Sequence, residues 1–199
     1  MPATDPAVLA EAIATDGYAI VPGFLAPTQA AALRDSALRR YAAGAFHAAA
    51  VGRGAERQVR SEIRGDQVLW LGDQPDEPEQ ALLDRYEALR LACNEALMLG
   101  LFELECHYAV YPPGAGYARH LDRFAGDASR TLSAVLYLND DWQPSDGGEL
   151  ALWLDDGRVL EVPPTAGTLA LFLSERFWHE VRPATRERWS VTGWFRRRS

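Results

Sequence analysis

The 199-residue sequence predicts an α+β fold, mainly β, in which a jelly roll or β-sandwich is backed by helices that precede it in the chain. Three observations lead there. Up to residue 98, apolar residues recur mostly at spacings of three and four, the period of a helix face. From residue 102 the period drops to two, and eight short β-like runs follow one another to residue 195. Gly, Pro, Asn and Asp mark the breaks between these runs, as in Pro112-Pro113-Gly114 and Asp146-Gly147-Gly148. The length fits one domain over residues 1–199. Residues 1–100 are expected to supply helical support, the first strands and a mobile loop near 51–66, and residues 101–199 the β core.

Asp5-Pro6 reads as an N-cap with proline in the first turn, and Val8, Leu9 and Ile13 follow at helical spacing. After the turn Asp16-Gly17, Tyr18–Val21 is a short strand. A second helix is expected over 27–43, with Ala31, Leu33 and Leu38 near its apolar side. Arg53, Arg57, Arg60 and Arg64 lie among glycines and acids in a loop that leads into a strand at 68–71. Residues 77–98 form the longest helical pattern, with Leu82, Tyr86, Leu89, Cys93 and Leu97 on one face. The strands that follow are expected at 102–111, 117–122, 131–139, 149–154, 159–162, 168–173, 178–181 and 188–195. Their pairing order is not set by their spacing.

Composition removes several chemistries. Twenty basic against 28 acidic side chains give a net charge of −8, the wrong sign for a general nucleic-acid binder. There is no lysine, which excludes Schiff-base and pyridoxal chemistry and the P-loop lysine. Two cysteines, Cys93 and Cys106, are too few for a disulfide scaffold or a cysteine zinc cluster. No Lys or Arg precedes Arg34, so the start does not read as a signal peptide, and no apolar run is long enough to span a bilayer. A soluble cytoplasmic protein with neither nucleic acid nor membrane as partner is expected.

His120 and Asp122 stand two residues apart, so on one strand they face the same way, and His179 offers a second imidazole on a later strand. Two histidines and a carboxylate on one side of a metal leave open positions, as in non-haem iron oxygenases. The pair alone is better read as a surface histidine beside a turn aspartate, because about 0.6 such matches arise by chance at this acidity. Alternation in the last run places Arg188, Ser190, Thr192 and Trp194 on one face and Trp189, Val191 and Phe195 on the other. An inward guanidinium fits a carboxylate ligand. A sheet with one solvated face fits the alternation equally, and Thr131, Ser133 and Tyr137 against Leu132, Leu136 and Leu138 show the same split. His107 shares a face with Tyr111, which allows it to line a pocket, but a satisfied core histidine is the stronger reading; His47 reads as a surface residue, and Arg196-Arg197-Arg198 as a solvated tail rather than an anionic docking patch.

The run Tyr111-Pro112-Pro113-Gly114-Ala115-Gly116-Tyr117-Ala118-Arg119-His120-Leu121-Asp122 resembles the iron-binding segment of Fe(II)/2-oxoglutarate-dependent oxygenases. It is most similar to the prolyl 4-hydroxylase branch, near the hypoxia-inducible-factor prolyl hydroxylases and their bacterial relatives. The likeness begins at Ile63-Arg64-Gly65-Asp66 and continues through Leu136-Tyr137-Leu138-Asn139 and Gly147-Gly148-Glu149-Leu150 to the segment from Arg188 to Phe195. The resemblance implies a double-stranded β-helix core with Fe(II) held by His120, Asp122 and His179. It implies that Arg188 binds the far carboxylate of 2-oxoglutarate with help from the Tyr137 hydroxyl, and that Tyr111, Leu150 and Thr192 line that pocket. Trp194 would lie beside the pocket, Arg64 and Asp66 on the elements that close over a peptide substrate, and Arg130 near the entrance. O2 would be the second co-substrate, ascorbate a reductant, and succinate and CO2 the co-products. The implied substrate is a prolyl residue in a protein, with elongation factor Tu a candidate by analogy. Hydroxylation of a free amino acid or other small molecule, a metal- and 2-oxoglutarate-binding module without turnover, and a zinc hydrolase are the competing readings.

Overall fold

The computed structural model describes residues 4–50, 60, 63–72, 74–122 and 129–198. Helix α1 (Pro6–Thr15) starts where the Asp5 carboxylate accepts the Ala7 backbone N–H at 2.9 Å, with Pro6 supplying the first-turn φ. Strand β1 (Tyr18–Val21) and helix α2 (Pro27–Ala42) follow, then the two-residue strand β2 (His47–Ala48) and strand β3 (Gln67–Trp70). Helix α3 (Glu77–Leu97) opens with a reciprocal cap. Asp76 accepts the Glu79 N–H at 3.2 Å while Glu79 accepts the Asp76 N–H at 2.9 Å. The same buried Glu79 accepts from Arg40 of α2 at 2.7 Å, which ties the two helices together.

The β region consists of β4 (Leu101–Tyr111), β5 (Tyr117–His120), β6 (Arg130–Tyr137), β7 (Leu150–Trp153), β8 (Val159–Val162), β9 (Leu169–Leu173), β10 (His179–Val181) and β11 (Arg188–Arg197). They form a seven-stranded sheet in the order β1-β9-β6-β11-β4-β3-β2 and a four-stranded sheet in the order β5-β10-β7-β8. Every paired strand is antiparallel to its neighbour. The two sheets face each other with the helices on the outer side of the larger one, the layering of a double-stranded β-helix.

Alternation along β6 and β11 explains that layering. Leu132, Leu136, Trp189, Val191 and Phe195 point to the helices and join Leu33, Leu82, Tyr86 and Leu89 in the main core. The opposite faces of the same strands point between the sheets, where Val135 and Tyr137 pack with Leu150, Leu152 and Phe172. Both faces are therefore buried, and the sheet with one solvated face is ruled out for these strands. Burying each large apolar side chain contributes about 1.5–3 kcal/mol, so the helical layer is what makes a two-faced sheet stable.

Three expectations need correction. Strand β5 ends at His120, so Asp122 lies in the bend that follows rather than on the strand. The terminal arginines do not all form a solvated tail, because Arg196 and Arg197 continue β11 and Arg196 pairs with Glu103 at 2.6 Å. His47 is exposed as expected but belongs to a strand, β2, too short to leave a pattern. Arg53, Arg57 and most of the expected mobile loop at 51–66 lie outside the described residues. Among the described residues no helix is long and apolar enough to cross a membrane.

Candidate active site

The cleft between the two sheets gathers the polar side chains that the core excludes. His120 and His179 are direct cross-strand partners in the β5–β10 pair, which sets their rings 4.2 Å apart between centroids. Asp122 comes to them from the bend after β5, with Oδ1 3.6 Å from His120 Nε2 and Oδ2 3.5 Å from His179 Nε2. The three donor atoms all lie within 4.8 Å of one another. Each histidine turns its other nitrogen to a backbone carbonyl: His120 Nδ1 to Ala118 at 2.7 Å and His179 Nδ1 to Phe177 at 3.1 Å. Those carbonyls accept Nδ1–H, which leaves both Nε2 lone pairs aimed at Asp122 and free to ligate.

Asp122 owes its place to the opposite sheet. The hydroxyl of Ser133 on β6 donates to Asp122 Oδ2 at 2.7 Å, and Ser174 lies 2.8 Å from the same hydroxyl. Burial alone would raise the Asp122 carboxyl, but His179 and His120 beside it hold it well below the usual carboxylate range. His120 is pushed down by burial, whereas in His179 the attraction of Asp122 outweighs burial and raises the imidazole. The result is one fixed negative charge and two imidazoles around one point, a donor set suited to a divalent iron with one side open. Ser133→Ala is expected to lower iron affinity about tenfold, as loss of a supporting hydrogen bond does at metal sites. Chelator competition would measure it, and unchanged affinity would contradict the role given to Ser133.

Deeper in the cleft, Arg188 at the start of β11 is 1% exposed. Its Nε donates to the Gly148 carbonyl at 2.7 Å, while Nη2 has no partner among the described residues. Among the described residues no carboxylate pairs with it. The buried Tyr137 hydroxyl beside it makes no hydrogen bond of good geometry among the described residues, and the guanidinium carbon lies 5.1 Å from the Tyr137 ring and 5.4 Å from the Tyr111 ring. Burial pushes the Tyr137 phenol up to about 12, so it stays a donor at neutral pH. A buried cation with an idle N–H beside an idle O–H is unstable unless an anion completes it. A carboxylate fits both. Gly148 makes the recess possible: its φ is +74°, and an added Cβ would stand 2.9 Å from Ala184 Cβ and 3.3 Å from Arg188 Cδ.

Tyr111, Leu150, Thr192 and Trp194 line the same cleft, as the sequence leads one to expect, and so do Arg64 and Asp66. Arg64 is clamped to the buried Asp66 by two bonds of 2.7 and 2.9 Å and lies over the Tyr117 ring at 5.0 Å. Arg130 is not part of the lining. It pairs with Glu105 at 2.6 Å and covers the Trp194 ring at 3.6 Å. Sequence reasoning missed Tyr117, whose ring stacks on His120 at 3.6 Å, and Ser133, and of the two places open to His107 it preferred the core, whereas His107 lines the cleft. The split of β6 into polar and apolar faces was the one signal for Ser133. A wider groove between α2 and α3, lined by Leu25, Leu33 and Leu82, has no comparable convergence of unpaired polar atoms.

The model of the 2OG-Fe(II) oxygenase superfamily matches residues 106–196. A Pseudomonas putida prolyl-4-hydroxylase is 46% identical and superposes with a TM-score of 0.88, covering 98% of this chain and 100% of that one. A prolyl hydroxylase of Trichoplax adhaerens, solved with a hypoxia-inducible-factor oxygen-degradation-domain peptide, is 29% identical with a TM-score of 0.86, covering 96% and 88%. Human Egl nine homolog 1 is 32% identical over 144 residues, 67% of this chain, and the chain spans 33% of that relative's length. Members of the superfamily use Fe(II), 2-oxoglutarate and O2, the iron and carboxylate that the two parts of the cleft fit. This chain belongs to the 2OG-Fe(II) oxygenase superfamily and, within it, to the prolyl hydroxylases.

Proposed function

We propose that this protein is a Fe(II)- and 2-oxoglutarate-dependent dioxygenase that hydroxylates a prolyl residue in a protein or peptide, releasing succinate and CO2. The observation that carries the reading is the buried Arg188, with an unpartnered Nη2, in the same cleft as the His120, Asp122 and His179 cluster. Iron in that cluster supplies O2 activation coupled to oxidative decarboxylation of the 2-oxo acid. The residues of the chain supply position. His120, Asp122 and His179 hold the metal from one side and leave the other for the co-substrates. Arg188 and Tyr137 take the far carboxylate, with Tyr111, Leu150 and Thr192 fixing the chain of the acid between them, which orients its oxo end to the metal. Val135, Leu150 and Val181 are the apolar part of the lining and would limit water beside the reacting atoms.

Arg64, Asp66, Tyr117 and Trp194 line the same cleft as the metal cluster and are the contacts proposed for the substrate side chain, with Arg130 over the Trp194 ring. The peptide bound by the Trichoplax adhaerens enzyme supports a peptide here too. The test is incubation with Fe(II), 2-oxoglutarate, O2 and prolyl peptides, one of them from elongation factor Tu, followed by mass spectrometry and succinate assay. The expected result is gain of one oxygen on proline in step with succinate. Stimulation by free proline but by no peptide would shift the reading to a small-molecule hydroxylase. Absence of 2-oxoglutarate turnover with every substrate would overturn it.

A further inference from the structure

The cleft contains one imidazole that the scheme above leaves idle. His107 on β4 is 1% exposed, and its Nδ1 has no hydrogen-bond partner among the described residues. A core histidine satisfied by the backbone would look different. Its ring is fixed by packing: Trp194 lies parallel to it at 5.2 Å and 28°, and Trp70 tilts against it at 4.7 Å. The unpaired edge therefore has a set direction rather than a free one.

Register locates that edge along the cleft. His107 pairs with Thr192 of β11, and Thr192 pairs with Val135 of β6. One inward rung to one side lie Ser190 and Tyr137, beneath the Arg188 guanidinium. One inward rung to the other side lie Trp194 and Ser133, the serine that holds Asp122. Successive inward rungs are about 7 Å apart. His107 thus stands between the carboxylate-binding end and the metal-holding end, on the rung crossed by the oxo-acid end of a ligand anchored at Arg188.

We propose that His107 is a positioning residue whose Nδ1–H donates a hydrogen bond to the 1-carboxylate of bound 2-oxoglutarate. The inference rests on the reading of the cleft as a 2-oxoglutarate pocket. Burial, with Arg64 and Arg130 nearby, holds the imidazole well below its usual range and opposes the pull of Asp122, so the ring is neutral and carries a single N–H. An orphaned buried donor is unfavourable until a ligand completes it, and a carboxylate oxygen is the stronger acceptor for it.

The test uses zinc-loaded, diamagnetic protein labelled with 15N-histidine, and long-range proton–nitrogen spectra recorded before and after 2-oxoglutarate is added. His107→Met identifies the signal by its loss. The expected result is that the His107 Nδ1 resonance moves to a hydrogen-bonded donor position when 2-oxoglutarate is added. His107→Met is expected to weaken 2-oxoglutarate about tenfold while leaving zinc affinity unchanged, the effect of losing one bond to a charged group. An Nδ1–H resonance already at its hydrogen-bonded position with zinc alone would mean a fixed partner other than the ligand and would overturn the assignment. So would a shift that waits for a prolyl peptide, or no shift at saturating 2-oxoglutarate. If 2-oxoglutarate fails to bind the zinc-loaded wild type, the pocket reading itself falls, which separates the two failures.

Discussion

Asp122→Ala is expected to lose iron by about 100-fold or more in affinity and hydroxylation with it, because the only negative charge among the three donors is removed. The fold should survive. Ser133 and Ser174 lie 2.8 Å apart and remain partners when the carboxylate goes, so no buried hydroxyl is orphaned. His120 and His179 stay in place through their bonds to the Ala118 and Phe177 carbonyls and their cross-strand pairing. Iron titration against a chelator, with circular dichroism as the folding control, measures both parts. A folded variant that binds iron within about threefold of wild type would show that Asp122 is no ligand.

The second large effect is on the co-substrate. Arg188→Ala is expected to raise the 2-oxoglutarate concentration needed for half-saturation about 100-fold, since charge-assisted bonds from the guanidinium contribute roughly 1.5–3 kcal/mol each. Iron affinity should be unchanged, because Arg188 bonds Gly148 and lies against Tyr137 rather than against any of the three donors. Arg188→Lys is expected to recover only part of the loss, as an ammonium cannot keep the Gly148 bond and present a planar pair of N–H groups at once. Calorimetry with zinc-loaded protein reads the affinity directly. Equal affinity in Arg188→Ala and wild type would remove the carboxylate from this end of the cleft.

Much of the site was legible because it sits on strands whose alternation is strict. Arg188, Thr192 and Trp194 on one face of β11, with Trp189, Val191 and Phe195 on the other, could be read from spacing alone and lie where that spacing puts them. The choice between a solvated and a buried polar face could not be made that way. It depends on the second sheet and on the helices, which are distant in sequence. Strand order is likewise set by long-range pairing, so the cross-strand meeting of His120 and His179 has no local signature. The structure brings Asp122 to the two histidines by a route other than the shared strand face that the spacing suggests. Its carboxylate reaches the histidines from a bend and is steadied by Ser133, not by a shared strand face. For His107 the core was preferred over the pocket because a buried histidine normally finds a partner, and the lack of one among the described residues shows only in three dimensions. Arg196 departs from the solvated-tail reading for the converse reason: Glu103 and Glu105 on the adjacent strand β4 pair with it.

The account stands most directly on one spectrum. Fe(II) and 2-oxoglutarate are added to the protein without oxygen, and the visible iron-to-2-oxoglutarate charge-transfer band is recorded for wild type, Asp122→Ala and Arg188→Ala. The account predicts a band in wild type, none in Asp122→Ala, and in Arg188→Ala one that appears only at much higher 2-oxoglutarate. A folded, iron-loaded wild type with no band would contradict it, because the metal cluster and the buried arginine would then not serve one bound 2-oxo acid.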